Sequence, residues 1–368
     1  MDTFEKIRAV IRGETPLDEA ETKFLLDCSG LEILFHIPDS AQYIERPLAF
    51  NSLLTKVWYK TCRELLEELK CLPYAVIKGA VLSARIHNNA AVRISNDLDI
   101  LIAPRDIDIV KSIFQKHGFI QGRVVNSNIV PYTRKELIYQ KALTHQLAPF
   151  CKKTGHALCP IVSIDINTDI FWGESIVKAD MPRFLQNCED FTIYDTSFRR
   201  LTPVYEFISL CMHHYKDLNS LYLLWERGVS LSLFSDIYYY ILRVRPDLDE
   251  LKSVCKAFRV TDYVYFCLYH TNVIFEDETL KTCLSLFEVI ANTDILNRIG
   301  LSESEYKYLP KGISEYLFDK SFKPMLETLL TEEYLHKIET NSLCNTVFIM
   351  RRGILYEQYR KKHHISNQ

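Results

Sequence analysis

Residues 95–102 read SNDLDILI, so two carboxylates stand one residue apart at the start of an apolar run. The run predicts a buried β-strand, and alternate residues of a strand point to the same face. Asp97 and Asp99 are therefore expected on one face, with the isoleucines on the other. Taken alone, this pattern fits a polar strand face as well as it fits a metal site.

A second segment, residues 161–170, alternates apolar and polar side chains in IVSIDINTDI. It predicts a strand with Asp165 and Asp169 on its polar face. Such alternation is also typical of an ordinary half-solvated antiparallel strand. The functional interpretation makes Asp165 the third carboxylate beside the first pair, with Asp169 as a further candidate. Three carboxylates form an oxygen-rich pocket that suits Mg²⁺ and nucleotide phosphates.

An apolar strand ends at a glycine in residues 74–80, which read YAVIKGA. A glycine between a strand and a helix lets backbone N–H groups approach phosphate, and the helix N-terminus favours anions. Lys78 and Arg93 can add positive charge for a triphosphate. We therefore interpret Lys78, Gly79 and Arg93 as phosphate-handling residues. The alternative is that the two charged side chains belong to the solvated surface.

The expected elements divide the chain into three regions. Residues 1–72 and 201–368 show the three- and four-residue spacing of amphipathic helices. Residues 73–200 mix strands and helices, including a strand expected over 137–143. The fold class is therefore expected to be α+β. Its mixed sheet is flanked by helices, with a helical N-terminal lead-in and a helical C-terminal domain.

Composition excludes several classes of protein. The 368 residues are 48% hydrophobic and 25% charged with a net charge of -3, which is ordinary for a globular protein and gives no basic excess for nucleic acid. The 11 cysteines are scattered without a Cys-x-x-Cys pair, and Cys151, His156 and Cys159 lack a fourth zinc ligand. We expect neither a secretory signal nor a membrane span, and a cytoplasmic location.

The motifs together resemble the polymerase-beta-like nucleotidyltransferase superfamily, which has a glycine turn, then an Asp-x-Asp strand, then a third carboxylate. More narrowly, they resemble a largely uncharacterised bacterial family with Lys-Gly-Ala, Arg-x-x-x-Asp-x-Asp-x-Leu and Gly-Phe motifs. These are residues 78–80, 93–101 and 118–119 here. The chain departs from the superfamily at Lys78, where many members have glycine, and at Asn167, where a histidine is frequent.

The resemblance implies a nucleotidyltransferase-like fold and a Mg²⁺-dependent enzyme that moves a nucleoside monophosphate from an NTP to an acceptor. ATP is the expected donor. Two Mg²⁺ ions would be held by Asp97, Asp99 and Asp165, and Asp165 would also help to activate the acceptor hydroxyl. Members of the narrower family occur beside peptide-tailoring systems, which implies a peptide or protein acceptor ahead of RNA or a small molecule. A histidine that assists the chemistry would have to be His145, since Asn167 fills the usual position.

Two other functions stay open at this point. Sugar transferases also use an Asp-x-Asp pair to bind a nucleotide-sugar through one metal, but they usually begin with a parallel sheet, whereas this chain begins with helices. A non-catalytic nucleotide-binding module is the second alternative, and the presence of all three carboxylates argues against it.

Overall fold

A computed structural model describes most of the chain. The described residues are 3–15, 17–27, 30–93, 95, 97–137, 146–173 and 175–332. His145, one of the candidates above, lies outside them.

Helices dominate both ends of the described chain. Those with both ends described are α1 (Thr3–Ile11), α2 (Glu19–Asp27), α3 (Leu31–Leu34), α4 (Ala41–Leu69), α5 (Gly79–His87), α6 (Ile107–Lys116), α7 (Met181–Phe184), α8 (Pro203–Asn219), α9 (Leu221–Arg227), α10 (Leu231–Tyr239), α11 (Leu248–Phe258), α12 (Thr261–Phe275), α13 (Glu278–Glu288) and α14 (Phe322–Leu329). Shorter 3₁₀ helices are Pro38–Ser40, Pro104–Asp106, Thr293–Asn297, Glu303–Glu305 and Ile313–Tyr316, and a π-helix covers Tyr240–Val244.

One mixed sheet of eight strands occupies the middle of the chain. The strands are β1 (Tyr74–Ile77), β2 (Leu98–Ile102), β3 (Ile120–Val125), β4 (Asn128–Pro131), β5 (Phe150–His156), β6 (Cys159–Asn167), β7 (Cys188–Ile193) and β8 (Thr196–Leu201). Their order across the sheet is β4-β3-β5-β6-β2-β1-β8-β7. The pairs β2–β6 and β1–β8 are parallel and the others antiparallel. A separate small sheet pairs β9 (Arg298–Ile299) with β10 (Lys307–Tyr308).

The first face of the large sheet packs against α4 and α6. Apolar residues of α4 recur at helical spacing, and Trp58, Cys62 and Leu65 are buried in the same core as Ile100 of β2 and Ile164 of β6. Because side chains alternate along a strand, the neighbours of these strand residues point to the second face.

The second face of the sheet is covered by the C-terminal helices. Ile77 of β1 and Leu101 of β2 belong to a core that also contains Phe207 and Met212 of α8. Asp99 has the same parity as Leu101, and Asp165 has the parity opposite to Ile164. The sequence thus places both carboxylates on the face that α8 covers.

The N-terminal helices pack with the C-terminal ones. α1 contacts α12, where Arg8 donates Nε–H to the Ile274 carbonyl oxygen at 2.8 Å and Nη2–H to that of Val273 at 2.8 Å. α3 contacts α10. Some N-terminal helices thus pack on the sheet and others pack on this helical body. The domain boundaries at residues 72 and 200 stay a prediction.

The α+β fold class, with a mixed sheet flanked by helices, is confirmed. The strand expected over 137–143 is wrong at Leu137, which is helical, and the remainder lies outside the described residues. Thr133 explains the helical start, since Glu136 accepts its backbone N–H at 2.7 Å and its hydroxyl at 2.7 Å in a capping arrangement. Within the described ranges, no helix is long and apolar enough to cross a membrane.

Candidate active site

The three predicted carboxylates meet at adjacent strands of the sheet. β2 and β6 run parallel, and Asp99 stands directly opposite Asp165 in their register. Asp97 lies one residue before β2. Burial, and then the negative charge of Asp99, raise the pKa of Asp97 to about 6. Burial, and then Asp97 and Asp99, raise the pKa of Asp165 well above its ordinary value. The three side chains are therefore close enough to repel one another.

Lys78 supplies the positive charge nearest to this acidic group. Its Nζ lies 2.8 Å from Asp99 Oδ1, and the two side chains are only 10% and 9% exposed. Asn167 donates an Nδ2–H to the same oxygen at 3.1 Å. Asn167 thus takes a definite part in the site as a hydrogen-bond partner of Asp99, at the position where related strands often have a histidine.

The turn after β1 holds Lys78 in an unusual backbone conformation. Its φ is 57° and its ψ is -157°, and it immediately precedes α5. Residues other than glycine rarely adopt positive φ, and such strain is frequent at functional sites. The ion pair with Asp99 holds the end of this side chain in place.

Gly79 allows the turn to approach the Asp-x-Asp segment. Its φ is +46°, and an added Cβ would lie 3.1 Å from Ser95 Oγ. Ser95 in turn donates its hydroxyl hydrogen to the backbone oxygen of Asp97 at 2.8 Å. A side chain at position 79 would therefore displace the segment that positions Asp97.

α8 forms the opposite wall of a cleft beside these carboxylates. Ser209, His213 and Lys216 lie on one face of the helix and line the cleft, which is narrow and partly open to solvent. Lys78 and Asn167 line its sheet side, and both bond Asp99. The cleft is therefore continuous with the acidic group.

A family model described as "uncharacterised nucleotidyltransferase" matches residues 35–276, which is more than half of the chain. The chain belongs to this family. The match spans α4, the large sheet and the helices through α12. Comparisons with curated proteins and with solved structures found no match.

As a nucleotidyltransferase, the enzyme takes the nucleoside monophosphate from an NTP donor. Carboxylate oxygens are suitable ligands for the divalent ions that such transfer commonly uses. No trio of His, Cys, Asp or Glu side chains in the described ranges is arranged to hold a metal ion. The Lys78 ammonium is the present counter-ion of Asp99. The donor chemistry therefore fits a cation, provided that Lys78 releases Asp99.

Arg93 of the nucleotidyltransferase is anchored on the helical body. Its Nε donates to Asp236 Oδ2 at 2.9 Å and Oδ1 at 3.1 Å, and Asp236 is fully buried on α10. His214 Nε2 lies 3.0 Å from Asp236 Oδ2. Since Asp236 engages the Nε side of the guanidinium, a phosphate would have to use its other N–H groups.

Asp169 and two histidines of α8 lie near the cleft and have defined partners. Asp169 lines the cleft, and its Oδ1 accepts backbone N–H groups from Phe171 at 2.9 Å and Ala179 at 3.3 Å. It therefore holds the segment that follows β6. His213 and His214 have different partners because adjacent residues on a helix diverge, and His213 Nε2 lies 3.5 Å from Asp217 Oδ2.

Sequence reasoning missed the α8 side of the site. The four residues of α8 that line the cleft are Ser209, Met212, His213 and Lys216. Their three- and four-residue spacing was visible in the sequence as one helix face. It did not show that this face packs over the carboxylates.

Proposed function

We propose that this nucleotidyltransferase uses Mg²⁺ and ATP to attach AMP to a peptide or protein acceptor. The observation that supports the proposal is the register of β2 and β6, which sets Asp99 opposite Asp165. The location of Asp97 beside them completes a group of three acidic oxygen donors. Asp97, Asp99 and Asp165 would hold two ions, which neutralise phosphate charge and stabilise the leaving group when bound.

The chain's own residues would divide the remaining work. Lys78, Gly79 and Arg93 orient the phosphates. The acceptor hydroxyl oxygen forms a bond to the α-phosphorus, and the bond from that phosphorus to the bridging oxygen breaks. Pyrophosphate leaves with the bonding electron pair.

Asp165 receives the proton from the acceptor hydroxyl. In the metal-free site, burial and the neighbouring carboxylates raise the pKa of Asp165 well above its ordinary value.

Membership of the family favours nucleotidyl transfer over the sugar-transfer and non-catalytic alternatives. A cytoplasmic location also belongs to the proposal. An NTP donor is a cytoplasmic metabolite, and the cysteines of the described ranges are free thiols, as expected in a reducing compartment.

The test is intact-mass analysis of candidate peptides and proteins encoded beside the gene. Each is incubated with the enzyme, Mg²⁺ and one NTP at a time, with UDP-sugars in a parallel reaction. We expect the acceptor mass to increase by one AMP unit with ATP. An increase by a sugar unit, or no increase with any NTP across the candidate acceptors, would contradict the proposal.

Replacing Lys78 with methionine should strengthen Mg²⁺ binding to the nucleotide-free enzyme by about tenfold, or about 1.4 kcal/mol. The lysine ammonium lies 2.8 Å from Asp99 Oδ1 and competes with any cation for that oxygen. Methionine keeps the length of the side chain and removes the charge. Calorimetric titration with MgCl₂ measures the change.

Lys252→Met is the matched control, because Lys252 is exposed on α11. Its affinity for Mg²⁺ should equal that of the wild type. Weaker Mg²⁺ binding by K78M than by the wild type would show that Lys78 does not occupy the cation position.

A further inference from the structure

We propose that α8 carries a binding subsite for a polyphosphate chain, formed by Lys216, His213 and Ser209 across the cleft from Lys78. The inference rests on the proposed function for the role of the subsite, which is to hold the donor's β- and γ-phosphates and the departing pyrophosphate. It assigns substrate contacts to the helical C-terminal half of the chain.

The geometry of α8 places these side chains together. Ser209, His213 and Lys216 recur at positions i, i+4 and i+7, so they lie along one side of the helix. All three line the same cleft as Lys78. All three therefore lie on the cleft wall across from the second face of the sheet, where Lys78 and Asn167 lie.

Lys216 is held loosely. Its Nζ lies 3.5 Å from Asp217 Oδ1, and its side chain is 18% exposed. By contrast, Lys78 is held at 2.8 Å from Asp99. An ion pair at 3.5 Å exceeds normal hydrogen-bond length, so the Lys216 ammonium can turn to a ligand at little cost.

Lys78 and Lys216 both act on the His213 imidazole. Burial, and then the charges of Lys78 and Lys216, hold the pKa of His213 well below its ordinary value. Two ammonium groups thus act on one neutral imidazole from the two walls of the cleft. An anion between them would offset their mutual repulsion, and the imidazole would offer it a hydrogen-bond donor.

Asp99 and Asp169 already have other partners, and Asp217 holds neither cleft cation tightly. Asp99 already pairs with Lys78, and Asp169 accepts two backbone N–H groups. Asp217 lies 3.5 Å from both His213 Nε2 and Lys216 Nζ, so it orients the two groups without a tight hydrogen bond to either.

The donor set identifies the chemical class of ligand. Ammonium, imidazole and hydroxyl groups spread along a helix suit a flexible chain of several phosphates. They do not form the planar fork that a single carboxylate would favour. The position beside the proposed metal carboxylates, with Lys78 shared between the two, is where an NTP would lay its phosphate tail.

The experiment measures binding of inorganic tripolyphosphate by calorimetric titration of the full chain in the presence of Mg²⁺. Lys216→Gln should weaken binding by at least about tenfold, as expected for one lost charge-assisted hydrogen bond. Lys216→Arg keeps the charge and should stay within about threefold of the wild type. Lys252→Gln, on exposed α11, should bind as the wild type does. Thermal unfolding of each variant verifies that it is folded.

Wild-type affinity in a folded K216Q variant would overturn the subsite, even if AMP transfer is observed. Equal weakening in folded K216R and K216Q would overturn it too, because the charge would then not matter. A tenfold loss in K216Q alone would support the subsite even if no transfer to any acceptor is found. The binding measurement therefore separates a failure of the subsite from a failure of the proposed function.

Discussion

Replacing Asp97 with asparagine should lower nucleotidyl transfer by about a thousandfold or more while the protein stays folded. The substitution removes one of three clustered carboxylate charges, and a loss of about 4 kcal/mol of transition-state stabilisation corresponds to that factor. Asparagine preserves the shape of the side chain and an oxygen that can accept from Ser95, whose Oγ lies 3.4 Å from Asp97 Oδ1. Intact-mass measurement of the initial rate, with excess Mg²⁺ and ATP, gives the effect.

Asp99→Asn should lose activity as well, but it is a less specific test. Asp99 is the partner of the buried Lys78 ammonium, and its removal would leave that charge uncompensated. Loss of activity in this variant would combine a chemical effect with a structural one. The Asp97 variant is therefore the clearer test of the proposed chemistry.

The stability of Asp97→Asn provides an independent readout in metal-free buffer. Because burial and Asp99 raise the pKa of Asp97 to about 6 from an ordinary 3.8, the folded protein holds this proton more tightly than the unfolded chain does. The free energy of unfolding of the wild type therefore falls as pH rises from about 4 to about 6. Asparagine does not titrate, so the variant lacks this contribution to the fall in the free energy of unfolding.

Urea unfolding in EDTA should thus show the variant to be at least as stable as the wild type at about pH 7, with the difference shrinking towards about pH 4. Asp190→Asn is the control, since Asp190 is exposed on β7, the edge strand that β2, β1 and β8 separate from β6. It should keep full activity. Wild-type transfer by the Asp97 variant, or a loss of transfer that follows unfolding, would remove Asp97 from the proposed chemistry.

The central sheet was predictable because its strands carry their own pattern. Residues 98–102 are apolar except for Asp99, and residues 161–167 largely alternate, so both segments predict strands, and the faces of Asp99 and Asp165 follow from parity. The turn at Lys78 and Gly79 was predictable in the same way, because an apolar strand stops at a glycine before a helix. These signals are local, within a few residues of each other.

The partners of these residues were not predictable, because they depend on tertiary contacts between distant segments. Strand register sets Asp99 opposite Asp165, 66 residues later, and no local pattern specifies that pairing. In the sequence, Asn167 only marks a position where relatives often have a histidine. Its hydrogen bond to Asp99 depends on the folded structure. The pairing of Arg93 with Asp236 joins residues 143 positions apart. An apolar helix with one aspartate predicts a buried polar contact but does not name the partner.

Replacing Asp236 with alanine should lower the free energy of unfolding by about 3–5 kcal/mol, the usual cost of removing one member of a buried ion pair. Asp236 is fully buried, and both of its carboxylate oxygens accept the bifurcated N–H of Arg93 Nε. His214 lies 3.0 Å from the same carboxylate. The variant would leave Glu32 and Asp99 as acids that act on the Arg93 guanidinium, and burial raises the pKa of Glu32, so it provides weaker compensation.

Urea unfolding of three variants separates this ion pair from ordinary surface charge. Lys281→Ala removes an exposed pair 2.6 Å long with Glu278 and should leave the free energy of unfolding nearly unchanged. The double variant Arg93→Met with Asp236→Leu removes both charges and should recover a large part of the stability that Asp236→Ala loses. A cost below about 1 kcal/mol for Asp236→Ala would show that the pair does not anchor the Asp-x-Asp segment.

The same variants distinguish anchoring from phosphate contact. If Arg93 also reaches the donor, the double variant should regain stability and still show a raised KM for ATP, because it lacks the guanidinium. If Arg93 only anchors the segment before Asp97, the stable double variant should keep a KM close to that of the wild type. The buried pair thus joins the Asp-x-Asp segment to the helical body. The KM for ATP of the stable double variant decides whether Arg93 also binds substrate.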